Sequence, residues 1–274
     1  MKSYLSLVPI SAKVRKRQNR MTILCVIISI FLVTAIFSVA DMMIRTQSDR
    51  MTGKNGSWHI ELDGISQETA LKIAERDDVV SIGAVTIFNP DGELPYRMDG
   101  KRVVLYGIDE SYLTMNSTGA AEGRFPQGMG EIMLSSNAAR VLQVAVGDTV
   151  TLRTPSGDWD FTVSGLGGVE ESYYSGQYSL MDAYLPRTAF AALMEQNNVH
   201  NLQTSYYVQF TSASKAAKAI PELTAQHNLP ENAVSENTGV MAIAGHSDSS
   251  AAKNVYSLAA VLFVLVLLAG VLMI

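Results

Sequence analysis

Two stretches of the chain carry no charge at all. Met21 to Ala40 is a run of 20 residues, 12 of them Leu, Ile, Val or Phe, and Val255 to Ile274 is a second run of 20 with 13 such residues. A helix rising about 1.5 Å per residue crosses the roughly 30 Å hydrocarbon core of a bilayer in about 20 residues. At about −0.3 to −0.6 kcal/mol per apolar residue, the first run alone favours insertion by about 4 to 7 kcal/mol. Soluble cores rarely need helices that are apolar on every face. The pattern therefore predicts transmembrane helices over 21–40 and 255–274.

Between the runs the rhythm changes. Ser57–Leu62 alternates, with Trp58, Ile60 and Leu62 on one side of a predicted strand, and Ser66–Arg76 reads as a helix with Ala70, Leu71, Ile73 and Ala74 on one arc. Val79–Phe88 is rich in β-formers and ends at the turn Asn89-Pro90-Asp91-Gly92, after which Arg102–Ile108 is another strand. Farther on, Gly130–Leu134 leads to Ser135 and Ser136, caps for a short helix carrying Ala138, Val141 and Leu142. Val150 and Leu152 face Phe161 and Val163 across a hairpin turned at Pro155–Asp158, with Trp159 beside them. Leu180–Leu185 is a strand and Arg187–Glu195 a helix. The opening pattern then returns: strand Ser205–Phe210, a helix Ser212–Gln226 with Pro221 as a candidate kink, a short edge strand at Ala233–Ser235, and a helix over 240–254 leading into the second run. The predicted fold is an α+β domain between two transmembrane helices. In it, 57–108 and 204–240 pair into one strand–helix–strand layer near the membrane, and 119–195 forms a mostly β insertion farther out.

Charge sets the orientation. Residues 1–20 hold six basic and no acidic residues, including Lys13, Arg15, Lys16, Arg17 and Arg20, whereas Asp41, Arg45, Asp49 and Arg50 nearly cancel after the first run. Lys and Arg mark the cytoplasmic side. This places both termini inside the plasma membrane, residues 41–254 outside, and 1–20 as a basic segment on the inner leaflet, in contact with membrane lipid. The rival reading is a signal peptide cleaved after Ser38-Val39-Ala40, but its apolar region would ordinarily be 7–15 residues long. All 26 acidic residues lie between the runs, against 15 Lys and Arg, so this segment carries −11. That balance argues against nucleic acid or an anionic surface as the domain's partner. The single cysteine, Cys25, sits inside the first run, so the outer segment has neither a disulfide nor a thiolate metal site.

The segment offers no reactive constellation. His59, His200, His227 and His246 have no metal-ligand spacing and read as packing or surface residues. Glu170-Glu171, beside Gly167-Gly168, reads as a solvated loop rather than a catalytic pair. There is no Gly-x-Ser-x-Gly elbow and no phosphate-binding Gly-x-x-x-x-Gly-Lys-Ser/Thr. Tyr173, Tyr174, Tyr178 and Tyr184 gather in a region read as a Gly/Ser-containing loop, where packing at a sheet edge is the simpler account. No catalytic, cofactor or metal residue is therefore assigned.

Three short segments in the middle stand out together. They are Gly123-Arg124-Phe125-Pro126, then Gly130-Glu131-Ile132-Met133-Leu134-Ser135, then Val146-Gly147-Asp148-Thr149-Val150. In order and spacing they resemble the outer-domain pattern of MacB/FtsX-type ABC transporter permeases, and the layout of basic N-terminus, span, outer domain and second span resembles the first half of such a permease. The resemblance implies that these motif residues are structural. It also implies a partner ATPase that binds the ATP, a second permease copy or paralogue, and outer domains moved by stiff transmembrane rods. The cargo would be a peptide, a drug or a lipoprotein. Further spans would follow Ile274. The alternative reading of the same layout is a two-span sensor receptor with an extracytoplasmic ligand-binding domain.

The orientation is directly testable. A reporter fused at residue 100 should behave as extracytoplasmic, and the 57–240 segment should be digested by protease added to intact right-side-out cells. Full protection of that segment would reverse the topology.

Overall fold

The computed structural model describes residues 16–116, 120–167, 180–230, 232–243, 257 and 260–264. Its first element, α1 (Lys16–Asn55), is one unbroken helix of 40 residues. It has no proline, and its first glycine, Gly53, comes two residues before its end. At about 1.5 Å per residue it is about 60 Å long, roughly twice the thickness of a hydrocarbon core. The stretch Val26–Gly53 holds an 18-residue window of mean hydropathy 2.3 and is long and apolar enough to cross a membrane. Ile30 and Phe31 stand 62% and 70% exposed, so no protein core covers this face. The helix thus continues well past Ala40, where the uncharged run stops. Of the second run, Ser257 and residues 260–264 are described as helical, and the Phe263 ring lies 5.9 Å from that of Phe37.

The chain then builds a layer. Its elements are β1 (Ile60–Leu62), α2 (Gln67–Ala74) and β2 (Val79–Phe88) from the first part, joined later by β10 (Thr204–Phe210), α6 (Ala213–His227), β11 (Val234–Glu236) and α7 (Thr238–Ile243). Ser66 Oγ accepts from the Thr69 N–H at 3.1 Å and so caps α2 at the residue where the predicted helix begins. β10 sits between β1 and β2 with antiparallel register Val208↔Ile60 and Tyr206↔Ala84, and β11 closes the edge beside β1. Strands far apart in sequence therefore pair, as the repeated pattern predicted. Ile60, Leu62, Ala70, Ile73, Val208, Phe210, Ala216 and Leu223 form the core between sheet and helices. α6 runs through Pro221 and ends at Asn228, a left-handed cap with φ 51°.

The middle of the chain closes a ring. It contains β3 (Arg97–Met98), β4 (Lys101–Ile108), α3 (Glu110–Met115), β5 (Ala120–Gly123), β6 (Glu131–Ser135), α4 (Ser136–Leu142), β7 (Thr149–Thr154), β8 (Gly157–Gly167), β9 (Met181–Pro186) and α5 (Arg187–Gln196). Hydrogen bonds run β4-β3-β7-β8-β6-β9 and return to β4, where Val103↔Met181 through Ile108↔Pro186 pair in parallel. Closure removes the free edges a six-strand sheet would otherwise expose. The strand β4, read as part of the layer, also pairs with β2 through Leu105–Ile108, so one strand serves both units. Leu105, Ile132, Leu134, Leu152, Phe161 and Val163 fill the ring, and Phe190 and Leu193 of α5 pack onto it.

Three details differ from the sequence reading. Trp58 does not join Ile60 and Leu62. Gly56 (φ +83°) turns the chain before the strand begins, and Trp58 meets Tyr207 edge-on at 4.8 Å, across the sheet from the layer core. Leu71 points outward, 58% exposed, because only Ala70 and Ile73 of α2 reach the core. Tyr184 lies in β9, within the predicted strand Leu180–Leu185 and not in the loop read for the tyrosine cluster, and is stacked on Tyr106 at 5.0 Å. Tyr173, Tyr174, Tyr178, Glu170, Glu171 and His246 lie outside the described residues.

Phe161 is 1% exposed and fills the ring from β8. Phe161→Ala should lower unfolding free energy by about 3–5 kcal/mol in denaturant titration. A loss under about 1 kcal/mol would contradict its inward placement.

Candidate functional site

The three motif segments converge on one stretch of β8, Thr162–Gly165. The Arg124 N–H donates to Ser164 O at 2.9 Å, the Thr162 N–H donates to Gly130 O at 2.8 Å, and Gly147 N–H to Val163 O and Val163 N–H to Asp148 O are both 2.8 Å. Ser164 Oγ lies 3.3 Å from the carbonyls of both Arg124 and Ile132. Two glycines make the approach possible. A Cβ on Gly123 (φ +74°) would sit 2.4 Å from Ser164 O, and one on Gly165 would sit 2.4 Å from Arg124 O. Sequence reasoning found Gly123 but missed Ser164 and Gly165. The small residues Ser164, Gly165 and Gly167 within one strand are the available signal of close backbone approach.

Side chains lock the same joint. Arg124 grips Glu131 with two parallel bonds, Nη1 to Oε2 at 2.9 Å and Nη2 to Oε1. Glu131 Oε2 also accepts from the N–H groups of Gln127 at 2.8 Å and Gly128 at 3.2 Å. The Arg124 hydrogen bond, then that of Gln127, pulls the Glu131 carboxyl down to about 2. Asp148 Oδ2 accepts from the Ala145 N–H at 2.8 Å and so shapes the turn at Gly147 (φ +96°). Pro126 is buried and Phe125 is half-buried against Met133 and Tyr184, while Ile132 and Leu134 point into the ring. The contacts at this joint are hydrogen bonds and one ion pair that fix three loops to a strand.

A second joint lies where α1 meets the layer. The last four carbonyls of a helix have no partner within it. Here the Gly56 N–H donates to Thr52 O at 2.9 Å. Asn237, 4% exposed, donates from Nδ2 to Asn55 O at 3.2 Å and to Trp58 O at 2.9 Å. Its own N–H donates to His59 O at 2.9 Å, its carbonyl accepts from Met241 N at 2.8 Å, and its Oδ1 accepts from Val240 N at 3.4 Å, which starts α7. Gly239 lets α7 come close, since a Cβ there would meet Asn55 Nδ2 at 2.1 Å. Ser57 N–H to Met115 O, 2.6 Å, ties the same segment to the end of α3. Nothing in the sequence pattern marked Asn237.

Other candidates resolve as packing. His59 is buried, its Nδ1 accepts from Phe210 N at 3.1 Å, and burial lowers its pKa. His200 is exposed on the loop after α5, and His227 lies in the last turn of α6. Burial raises the Glu61 and Asp182 carboxyls, which accept from the hydroxyls of Tyr207 and Tyr106. Among the described residues no three His, Cys, Asp or Glu side chains come together as a metal site. Of the basic anchors, Lys16, Arg17 and Arg20 lie in the first turns of α1, and Lys13 and Arg15 lie outside the described residues.

The chain thus folds as an α+β layer that shares one strand with a closed ring, carried on a helix long and apolar enough to cross a membrane. The profile of the MacB-like periplasmic core domain family matches residues 21–226, most of the chain. The chain belongs to that family, the outer domain of MacB/FtsX-type ABC transporter permeases. The periplasmic region of MacB from Actinobacillus actinomycetemcomitans shares the fold, with a TM-score of 0.50 at 14% identity over 72% of this chain and 96% of that one. The extracellular domain of the ABC-type transporter YknZ from Gram-positive bacteria is similar at 15% identity, with a TM-score of 0.46 over 65% of this chain and 98% of that one. No match was found among curated proteins.

The Arg124–Glu131 joint has a defined acid response. Because the folded carboxyl sits near 2, below the ordinary value of 4.5, its contribution is complete above about pH 4.5 and is lost as pH falls toward 2. Glu131→Gln should therefore lower the melting temperature at pH 7, with the gap to wild type closing between pH 4.5 and 2. A gap that stays constant to pH 2 would show that the carboxylate charge does not hold the joint.

Proposed function

We propose that this chain is the permease subunit of a mechanotransmission ABC transporter. A partner ATPase binds and hydrolyses ATP in the cytoplasm, α1 carries the displacement across the bilayer, and the outer domain moves to expel or extract a peptide, drug or lipoprotein. The subunit itself performs no covalent step. A second permease copy or paralogue completes the pathway.

The observation supporting this reading is the continuity of α1 into the joint at Asn237. A helix transmits displacement only while its hydrogen-bond ladder is intact. α1 has no proline over 40 residues, and its last carbonyl is held by a buried side chain that also starts α7, the element preceding the second run. Push or rotation at the cytoplasmic end therefore reaches the layer without a flexible linker. The layer shares β4 with the ring, so the two move together.

Ile44 lies in α1 beyond the uncharged run and before the joint. Proline there removes one ladder bond and clashes with the preceding turn, at a cost of about 3 kcal/mol. Ile44→Pro in the reconstituted full-length transporter should abolish transport while ATP hydrolysis by the isolated ATPase keeps its basal rate. Full transport by this variant would end the rod-coupling reading and favour a receptor or scaffold.

A further inference from the structure

The helix α2 belongs to the layer and α5 to the ring, yet both lie on the same side of the continuous sheet, with a furrow between them. Its floor is β2 and β10: Ala84 and Tyr206 beside α2, then Thr86 and Thr204, whose hydroxyls are 2.7 Å apart, beside α5. On the α5 side the furrow widens into an open hollow of about 420 Å³, flanked by residues 199–202 of the loop after α5. On the α2 side it continues as a smaller hollow of about 90 Å³, with the exposed Leu71 at its mouth. Phe190, Met194, Val199 and Leu202 give the larger hollow an apolar wall.

Arg187, the first residue of α5, lines both hollows. It is half-buried, and among the described residues its guanidinium has no hydrogen-bond or ion-pair partner. The carboxylate whose charge it feels, Asp109, is already committed, accepting from the N–H groups of Ala84 at 2.9 Å and Tyr112 at 2.8 Å. The other charged groups of the larger hollow, Glu195 and His200, are exposed at its rim. A guanidinium carries five donors in a fork matched to carboxylate and phosphate, and among the described residues none of those of Arg187 is taken up by the protein. Ligand hollows of this size are typically apolar with a few convergent polar groups, and they favour the seams between structural units.

We propose that this furrow binds an amphipathic organic anion, with its carboxylate or phosphate on Arg187 and its apolar body against Phe190, Met194 and Leu202. Because one wall belongs to the layer and the other to the ring, a bound molecule bridges the two units. The proposal rests on these residues alone and is independent of how the transmembrane helices transmit motion.

The test uses the full chain in nanodiscs of zwitterionic phosphatidylcholine, titrated with dansylglycine, a fluorescent aromatic carboxylate, and with its neutral amide. Wild type should show saturable binding of the acid above the membrane background. The neutral amide should bind at least ten-fold more weakly, as should the acid to Arg187→Gln. Ala191→Trp, which places a bulky ring at the exposed edge of the hollow, should remove the saturable signal, and each variant's melting curve checks that it is folded. The amide comparison needs no variant and stands even if a substitution unfolds the domain. Absence of saturable binding, equal binding of acid and amide, or unchanged binding in folded Arg187→Gln would each overturn the proposal.

Discussion

One buried amide holds the molecule's two halves in register. A helix that leaves a membrane ends in carbonyls with no partner, and at Asn55 that end is pressed against the sheet, away from bulk water. Asn237 supplies the missing donors to Asn55 and Trp58, and its backbone bonds His59 and Met241. An Asn amide has two donors and one acceptor oxygen, and here all are engaged, so rotation of the side chain would leave buried carbonyls unpaired. That requirement fixes the angle at which α1 enters the layer, the start of α7, and the position of β1 between β10 and β11. The rest of the outer domain is oriented from this point.

The ring is held to the layer by a different device. The single strand β4 pairs with β2 on one edge and β9 on the other, so no hinge loop separates the units. Within the ring, the close approach of the Gly123–Arg124 turn to Ser164 and Gly165 lets backbone bonds, rather than long side chains, set the geometry. The Arg124–Glu131 pair then pins the loop that the glycines bring in. A polar joint of this kind has few alternative packings, so it holds one shape.

Much of this was legible in the sequence because burial imposes periodicity. Val79–Phe88 announces itself by its β-formers and the hairpin around Pro155–Asp158 by its apolar alternation, while the stripe read on α6 holds at Ala213, Ala216 and Leu223, with Ala219 buried in addition. The three motif segments were legible as a set. What they grip was not, because Ser164 and Gly165 carry no periodic signal and act through backbone carbonyls. Short elements escaped for a related reason. The two residues of β3 and the six of α3 form only because neighbouring strands and the Asp109 cap hold them. Asn237 is the extreme case: one polar residue whose partners lie about 180 positions away. Trp58 was misplaced by carrying the alternation back past the start of β1 at Ile60, and Leu71 by drawing the apolar arc of α2 wider than the Ala70–Ile73 stripe that reaches the core.

The central claim is that α1 and the layer move as one rigid body. The direct measurement is the spin-label distance within a single chain between Asp49→Cys on α1 and Lys218→Cys on α6, both exposed positions, in a Cys25→Ser background. It would be taken on the assembled transporter without nucleotide and again with ATP trapped at the ATPase. The account predicts an unchanged, narrow distance in both states, while Lys218→Cys labels on two different permease subunits move relative to each other. A within-chain change comparable to one helical turn, about 5 Å, would contradict it and place the moving joint at Asn237 itself.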